Sequence, residues 1–256
     1  MDNKIDISSL CSLYVEVYYE NIFLGTATAF IVENKVKEQY LITNRHVVTG
    51  RNNIDNKVMD KMGAIPNKLI VQIPEYHKED DMFIWNQWQI NLYKNGKERW
   101  LEHPRLKNKM DVIAIKLEKM VSNMCYLIEE TNYLCSICDN IKIIGYPFGY
   151  KVNKKEGYYG IWISGTIASE PLVNLEVKGI EGELPAFLID ARTREGTSGS
   201  PVIYYNRQGL LPMNSGFSIQ NEAVRIPIGI YSGRITSDSD LGIVWKWKVL
   251  HEIIEQ

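Results

Sequence analysis

Short runs of β-branched and aromatic residues recur from one end of the chain to the other, with turn residues between them. No other feature restricts the fold as much. Leu10–Tyr19 and Phe23–Val32 alternate apolar and polar positions as half-buried strands require, and Tyr40–Thr43 follows as a third. Lys68–Ile73, Trp88–Tyr93, Val112–Leu117, Ile141–Tyr146, Tyr158–Ala168, Ala186–Ile189, Pro201–Tyr205 and Ile226–Ile235 repeat the signal. Helical spacing is clear only at the end, where Trp247, Leu250, Ile253 and Ile254 share one face of Trp247–Ile254. Many short strands without interleaved helices predict an all-β antiparallel sandwich or barrel closed by a terminal helix. The polar stretch Thr49–Gly63, the charge run Glu75–Met82 and the segment Leu172–Glu183 are expected as solvated loops.

With 256 residues, 45% of them hydrophobic, the chain can bury a sizeable core, and disordered or collagen-like classes are excluded. Lys+Arg 29 nearly balances Asp+Glu 31 and no long basic run appears, so neither nucleic acid nor an anionic membrane is expected as a partner. No apolar run approaches the roughly 18 residues of a spanning helix. Met1–Asp6 carries Asp2 and Asp6 and no continuous apolar stretch, which argues against a signal peptide and for the cytoplasm. Four cysteines are too few for a disulfide scaffold. Cys135-Ser136-Ile137-Cys138 is a lone C-x-x-C, and Cys11 and Cys125 show no partner spacing for a zinc site, so reduced cysteines near a strand are expected. His77, His103 and His251 read as surface or satisfied packing positions, and Trp245 and Trp247 as core.

Three segments carry chemistry. Tyr40–Val48 is an apolar strand running into His46; Met110–Leu117 opens on Asp111 before an apolar strand; Gly196-Thr197-Ser198-Gly199-Ser200-Pro201 holds Ser198 in a small-residue turn before a strand. A serine is a weak nucleophile until a base takes its proton. A histidine is an effective base when a buried acid fixes its tautomer and supports the imidazolium. Small residues around Ser198 let the amides of Gly196 and Ser198 turn toward one point and hold a developing oxyanion. A nucleophile elbow with Ser198, Asp240 and His251 is formally available. It needs Gly where Ser200 stands and a strand-turn-helix setting, whereas Pro201–Tyr205 reads as strand.

In the chain order His46, Asp111, Ser198, these segments resemble the trypsin-like (chymotrypsin-fold) serine proteases. Gly25-Thr26-Ala27-Thr28-Ala29-Phe30 resembles the strand that precedes the family's histidine. Gly145-Tyr146-Pro147-Phe148-Gly149 resembles a segment of its bacterial members, Ile163–Ile167 the strand opening the second barrel, and Gly229–Gly233 the strand that pairs with substrate backbone. The resemblance implies two six-stranded β-barrels, one over about residues 1–120 and one over about 135–244, with a C-terminal helix over 245–256. It implies a serine endopeptidase acting on protein or peptide substrates without a cofactor. Ser198 would be nucleophile, His46 base and acid, Asp111 the orienting group, and the amides of Gly196 and Ser198 the oxyanion hole.

Departures from the family carry information. Thr197 stands where digestive enzymes have an aspartate, which removes their activation route, and Ser200 replaces a glycine as in the glutamyl endopeptidase branch. His46 and Asp111 lie 65 residues apart, which predicts an insertion in the first barrel. By resemblance, Arg192 falls at trypsin's pocket aspartate and Thr193 at a threonine of the glutamyl endopeptidases; Tyr231 stands where that branch has a histidine. Substrate contacts are expected from Arg192, Thr193, Tyr231, Ser232, Gly233 and Arg234, with Arg192, Arg194 and Arg234 favouring an acidic residue on the acyl side. An unrestrained protease in cytoplasm is hazardous, so a regulatory protein partner is expected. The rival reading is a silent barrel that binds a peptide strand along Tyr231–Gly233.

Overall fold

The computed structural model describes residues 5–79, 81–128, 133, 135–152, 157–213 and 216–255. Its first half contains β1 (Ser12–Tyr19), β2 (Ile22–Glu33), β3 (Gln39–Thr43), β4 (Lys68–His77), β5 (Met82–Asn91), β6 (Trp100–Glu102) and β7 (Ile113–Lys116). They are hydrogen-bonded in the order β5-β4-β1-β2-β3-β7-β6, and β8 (Tyr126–Leu127) adds in parallel to β2. The two edges, β5 and β6, are consecutive in the chain. Between them Tyr93–Lys94 and Lys97–Glu98 form a small ribbon, pinched at its base where Arg99 N–H donates to the Leu92 carbonyl at 3.0 Å. The sheet of the first half is therefore open between these two edge strands, where a closed six-stranded barrel was expected. This is how the first half departs from a regular six-stranded barrel.

The second half is a closed six-stranded barrel of β9 (Asn140–Gly145), β10 (Ile161–Ile167), β11 (Ala186–Ala191), β12 (Pro201–Asn206), β13 (Val224–Arg234) and β14 (Leu241–Lys246), in the order β9-β10-β11-β14-β13-β12. Each half wraps its own apolar cluster, around Leu13, Leu41 and Leu69 in the first and Ile143, Phe187 and Val202 in the second. A third cluster joins the halves: Phe30 of β2 stacks on Trp247 with ring centroids 5.6 Å apart, and Tyr126 meets both rings edge-on. Burying aromatics of this size accounts for much of the cohesion between the halves.

Among the described residues there are three short α-helices: α1 (Ile7–Cys11), α2 (Arg45–Thr49) and α3 (Val249–Ile254). Asp6 caps α1 through the Ser8 amide at 3.0 Å and also accepts a bidentate bond from Arg225 of β13, so the N-terminal segment is tied to the second barrel. Leu10 and Cys11, expected in the first strand, belong to this capped helix. The terminal helix starts at Val249 rather than Trp247, because Trp247 N–H still donates to the Ile228 carbonyl at 3.0 Å. Trp245 lies in β14, a strand the sequence reading did not separate from the helix. Glu252 of α3 accepts from buried His103 at 3.1 Å and from Arg105 at 2.6 Å, fixing the helix to the first half.

The 65 residues between His46 and Asp111 hold the long β4–β5 hairpin and the ribbon after it. Of the charge run Glu75–Met82, Glu75–His77 end β4 and Met82 opens β5 as strand, while Lys78, Glu79 and Asp81 are turn as expected; Asp80 lies outside the described residues. All four cysteines are free, and the described residues contain no cluster suited to a metal ion. No helix among them is long and apolar enough to cross a membrane.

Candidate active site

Residues distant in sequence meet here because two strands are paired. β3 is buried at every position and pairs with β7, with Thr43 opposite Ile113. The residues just beyond that pair are therefore brought together. Asn44 is extended and turns the chain into α2, where His46 is the second residue. Asp111 lies just before β7. The buried Asn44 amide donates to the Asp111 carbonyl at 2.7 Å, locking the two strand ends in place.

The Asp111 carboxylate is almost wholly buried and has three donors. Its Oδ1 accepts from His46 N–H at 2.9 Å. Its Oδ2 accepts from His46 Nδ1–H at 2.7 Å and from the Ser232 hydroxyl at 2.5 Å. Burial alone pushes the His46 imidazole pKa down, but the charge and hydrogen bond of Asp111 outweigh it, and the net shift is upward from 6.5. Nδ1 therefore carries the proton in the neutral ring, and Nε2 is the basic nitrogen.

Ser198 comes from the second barrel, in the turn before β12. Thr197 N–H donates to the Arg194 carbonyl at 3.1 Å, and Gly196, third in that turn, has φ +88°. This is the type II arrangement, which glycine accommodates without strain. The Glu195 carbonyl accepts from Phe148 N–H at 2.6 Å, so the Gly196 N–H on the same peptide faces the other way. Thr28 of β2 holds the turn from across the cleft. Its N–H donates to the Ser198 carbonyl at 2.9 Å and its hydroxyl to the Gly196 carbonyl at 2.8 Å. The Ser198 hydroxyl itself donates to the Ser232 carbonyl at 3.2 Å.

A β-carbon at Gly196 would lie 2.3 Å from the Tyr146 carbonyl oxygen. Gly196→Ala is therefore expected to force this peptide over and lose one oxyanion donor. The expected loss in kcat is about 10²–10³-fold with KM little changed, read from steady-state kinetics on a peptide substrate. A variant with normal kcat would show that this amide does not contact the reacting carbonyl.

Three recesses meet at Ser198. A 210 Å³ recess is lined by Arg194, Glu195, Tyr231, Gly233, Arg234 and Thr236, among others. A second of 210 Å³ runs between the Asn52–Ile54 loop and Ile180, Ile243 and Trp245. The third, of 720 Å³, extends past His46 and Gly196 along the first half.

The residues expected to contact substrate are spread over different positions. Arg234, Tyr231 and Gly233 line the first recess, and Arg194 joins them. Arg192 is exposed and lies outside that lining. Thr193 is buried behind the recess, where its hydroxyl and that of Tyr231 are hydrogen-bonded to each other. Burial pushes the Tyr231 phenol pKa up, against the opposing pull of Thr193, Arg234 and Arg194. Ser232 does more than line a surface, since its hydroxyl is one of the three donors to Asp111. Thr28 and Asn44 were not singled out from sequence. Each acts through a partner more than 60 residues away, and no local pattern marks that.

No protein-family model and no curated protein sequence matches the chain. Solved structures do. The Rv3671c protease from M. tuberculosis in its active form superposes with a TM-score of 0.52 at 14% identity, over 97% of this chain and 81% of that one. The inactive form of the same protease gives 0.52 and 14%, over 97% and 89%. At such identity the likeness speaks for architecture, which agrees with the closed barrel, the strand order and the terminal helix. The chain has the trypsin-like serine protease fold.

Proposed function

We propose that the chain is a serine endopeptidase that hydrolyses peptide bonds through an acyl-enzyme on Ser198. The observation that carries this reading is the 2.7 Å bond from His46 Nδ1 to buried Asp111, in a cleft that also holds Ser198 and the Gly196 turn. For the reaction the Ser198 hydroxyl has to leave the Ser232 carbonyl and donate to Nε2 of His46, which lines the same cleft. Nε2 then accepts the proton as Oγ attacks the carbonyl, and the amides of Gly196 and Ser198 receive the oxyanion. His46 returns the proton to the leaving amine, and water repeats the sequence on the acyl-enzyme. On the acyl side, Arg194 and Arg234 favour a carboxylate side chain. Arg194 also donates to the Thr193 carbonyl at 2.6 Å and lies 3.7 Å from Asp240 in a half-exposed contact of little energetic value; both contacts use the same guanidinium nitrogen.

A fluorophosphonate tests the reading. It is expected to label the protein at Ser198 and to leave Ser198→Ala unlabelled. Labelling needs neutral His46. Because Asp111 raises the His46 pKa, the labelling rate should climb with pH through a midpoint above 6.5, and kcat/KM should follow the same limb. Absence of labelling would overturn the reading. A flat rate from about pH 5 to 9 would remove His46 from the base role.

A further inference from the structure

We infer that this protein selects its cutting site mainly from the leaving-group side, through a cleft that takes bulky apolar residues just after the scissile bond. The inference rests on the endopeptidase reading. The 720 Å³ recess lies within the size range of pockets that bury a whole ligand, whereas each of the other two is 210 Å³.

Its place follows from the chemistry at Ser198. The acyl half of a bound peptide runs along Tyr231–Arg234, whose residues line both smaller recesses and none of the large one. His46, which must protonate the departing amine, lines the large recess as well as the second small one, whereas Gly196 lines the large one and neither of the others, and the large recess continues away along Phe23–Ala27 of β2. It is the path of the leaving segment.

Its walls say what that segment is. Val47 and Pro66 lie buried in it, while Phe23, Met59 and Phe148 stand 53%, 57% and 62% exposed around the same opening. Large apolar side chains left in water are unremarkable singly; three converging on one cleft mark a binding surface. Charge at this opening is mixed, with Asp60 and Glu195 against Lys61, so no single sign of ligand is favoured. The first small recess is weighted toward positive charge, with Arg194 and Arg234 against Glu195.

Quenched peptides sharing one acyl half and varied over the first three residues after the bond test the inference. Leu, Met or Phe there should exceed Asp, Lys or Gly in kcat/KM by on the order of 10- to 100-fold. Phe23→Asp, or Met59→Asp should that variant not fold, should turn the preference toward Lys and Arg. A spread within about threefold across the series, or an unchanged order of preference in a folded variant, would overturn it. A second measurement does not need turnover: Ser198→Ala protein should bind fluorescent peptides with apolar N-terminal residues better than charged ones by anisotropy. Selective binding without cleavage or labelling would uphold the cleft and sink the endopeptidase reading. Cleavage without selectivity would do the reverse.

Discussion

Ser198→Ala and His46→Ala are each expected to lower peptide turnover by on the order of 10⁶-fold, and the double variant to fall no further, because nucleophile and base act as one unit. The residual rate reflects binding and the Gly196 turn, which neither change touches. Ser198→Ala removes only the 3.2 Å bond to the Ser232 carbonyl, so its thermal unfolding should match the parent. His46→Ala takes one side-chain donor from the buried Asp111 carboxylate and should melt lower. Initial rates on a fluorogenic peptide, with melting curves on the same samples, decide the matter. Full activity in Ser198→Ala with unchanged inhibitor sensitivity would overturn the mechanism.

Asp111→Asn should cost roughly 10⁴-fold in turnover while leaving the fold intact, and the structure says in which way. The carboxylate meets only donors. One of them, the His46 backbone N–H on Oδ1, cannot become an acceptor. An asparagine must therefore place its oxygen there and its NH₂ where Oδ2 stood, facing His46 Nδ1 and the Ser232 hydroxyl. The ring is then driven to the tautomer protonated at Nε2, the nitrogen that has to receive the Ser198 proton. The hydroxyl of Ser232 can rotate away; the imidazole has no such freedom. NMR of the ring nitrogens should find the proton at Nε2 in the variant and at Nδ1 in the neutral parent. A variant with parental kcat would mean that Asp111 does not set the tautomer.

The architecture was legible because a run of β-branched and aromatic residues bounded by turn residues marks each strand separately. β1, β2, β3, β7, β9 and β12 all fall where alternating or apolar runs predict them. The same local pattern misplaced boundaries where a long-range bond competes with it. Trp247 has helical spacing to Leu250 and Ile253, yet its N–H is held by the Ile228 carbonyl in the turn between β14 and the helix. β14 was hidden for a related reason, since Trp245 within it adjoins the helical spacing of Trp247, Leu250 and Ile253 and was grouped with that helix. Glu75–His77 continue β4 past the apolar run Lys68–Ile73, and their ring contact, Tyr76 with Phe83, comes from the partner strand and is not marked locally.

At the site, the sequence by itself determined which groups have the right chemistry. His46, Asp111 and Ser198 stand in distinctive local settings, and their order along the chain matches one known arrangement. What only the tertiary structure decided is how they are held and what surrounds them. The pairing of β3 with β7 brings His46 to Asp111, and Thr28 and Asn44 become positioning residues through bonds that span the chain. The closing of the second barrel puts Arg194 and Arg234 on the recess and leaves Arg192 in solvent. The physical reason is one of range. Alternation and turn chemistry act over a few residues and can be read along the chain, whereas register, closure and the facing of side chains across a cleft arise only when distant strands are hydrogen-bonded together.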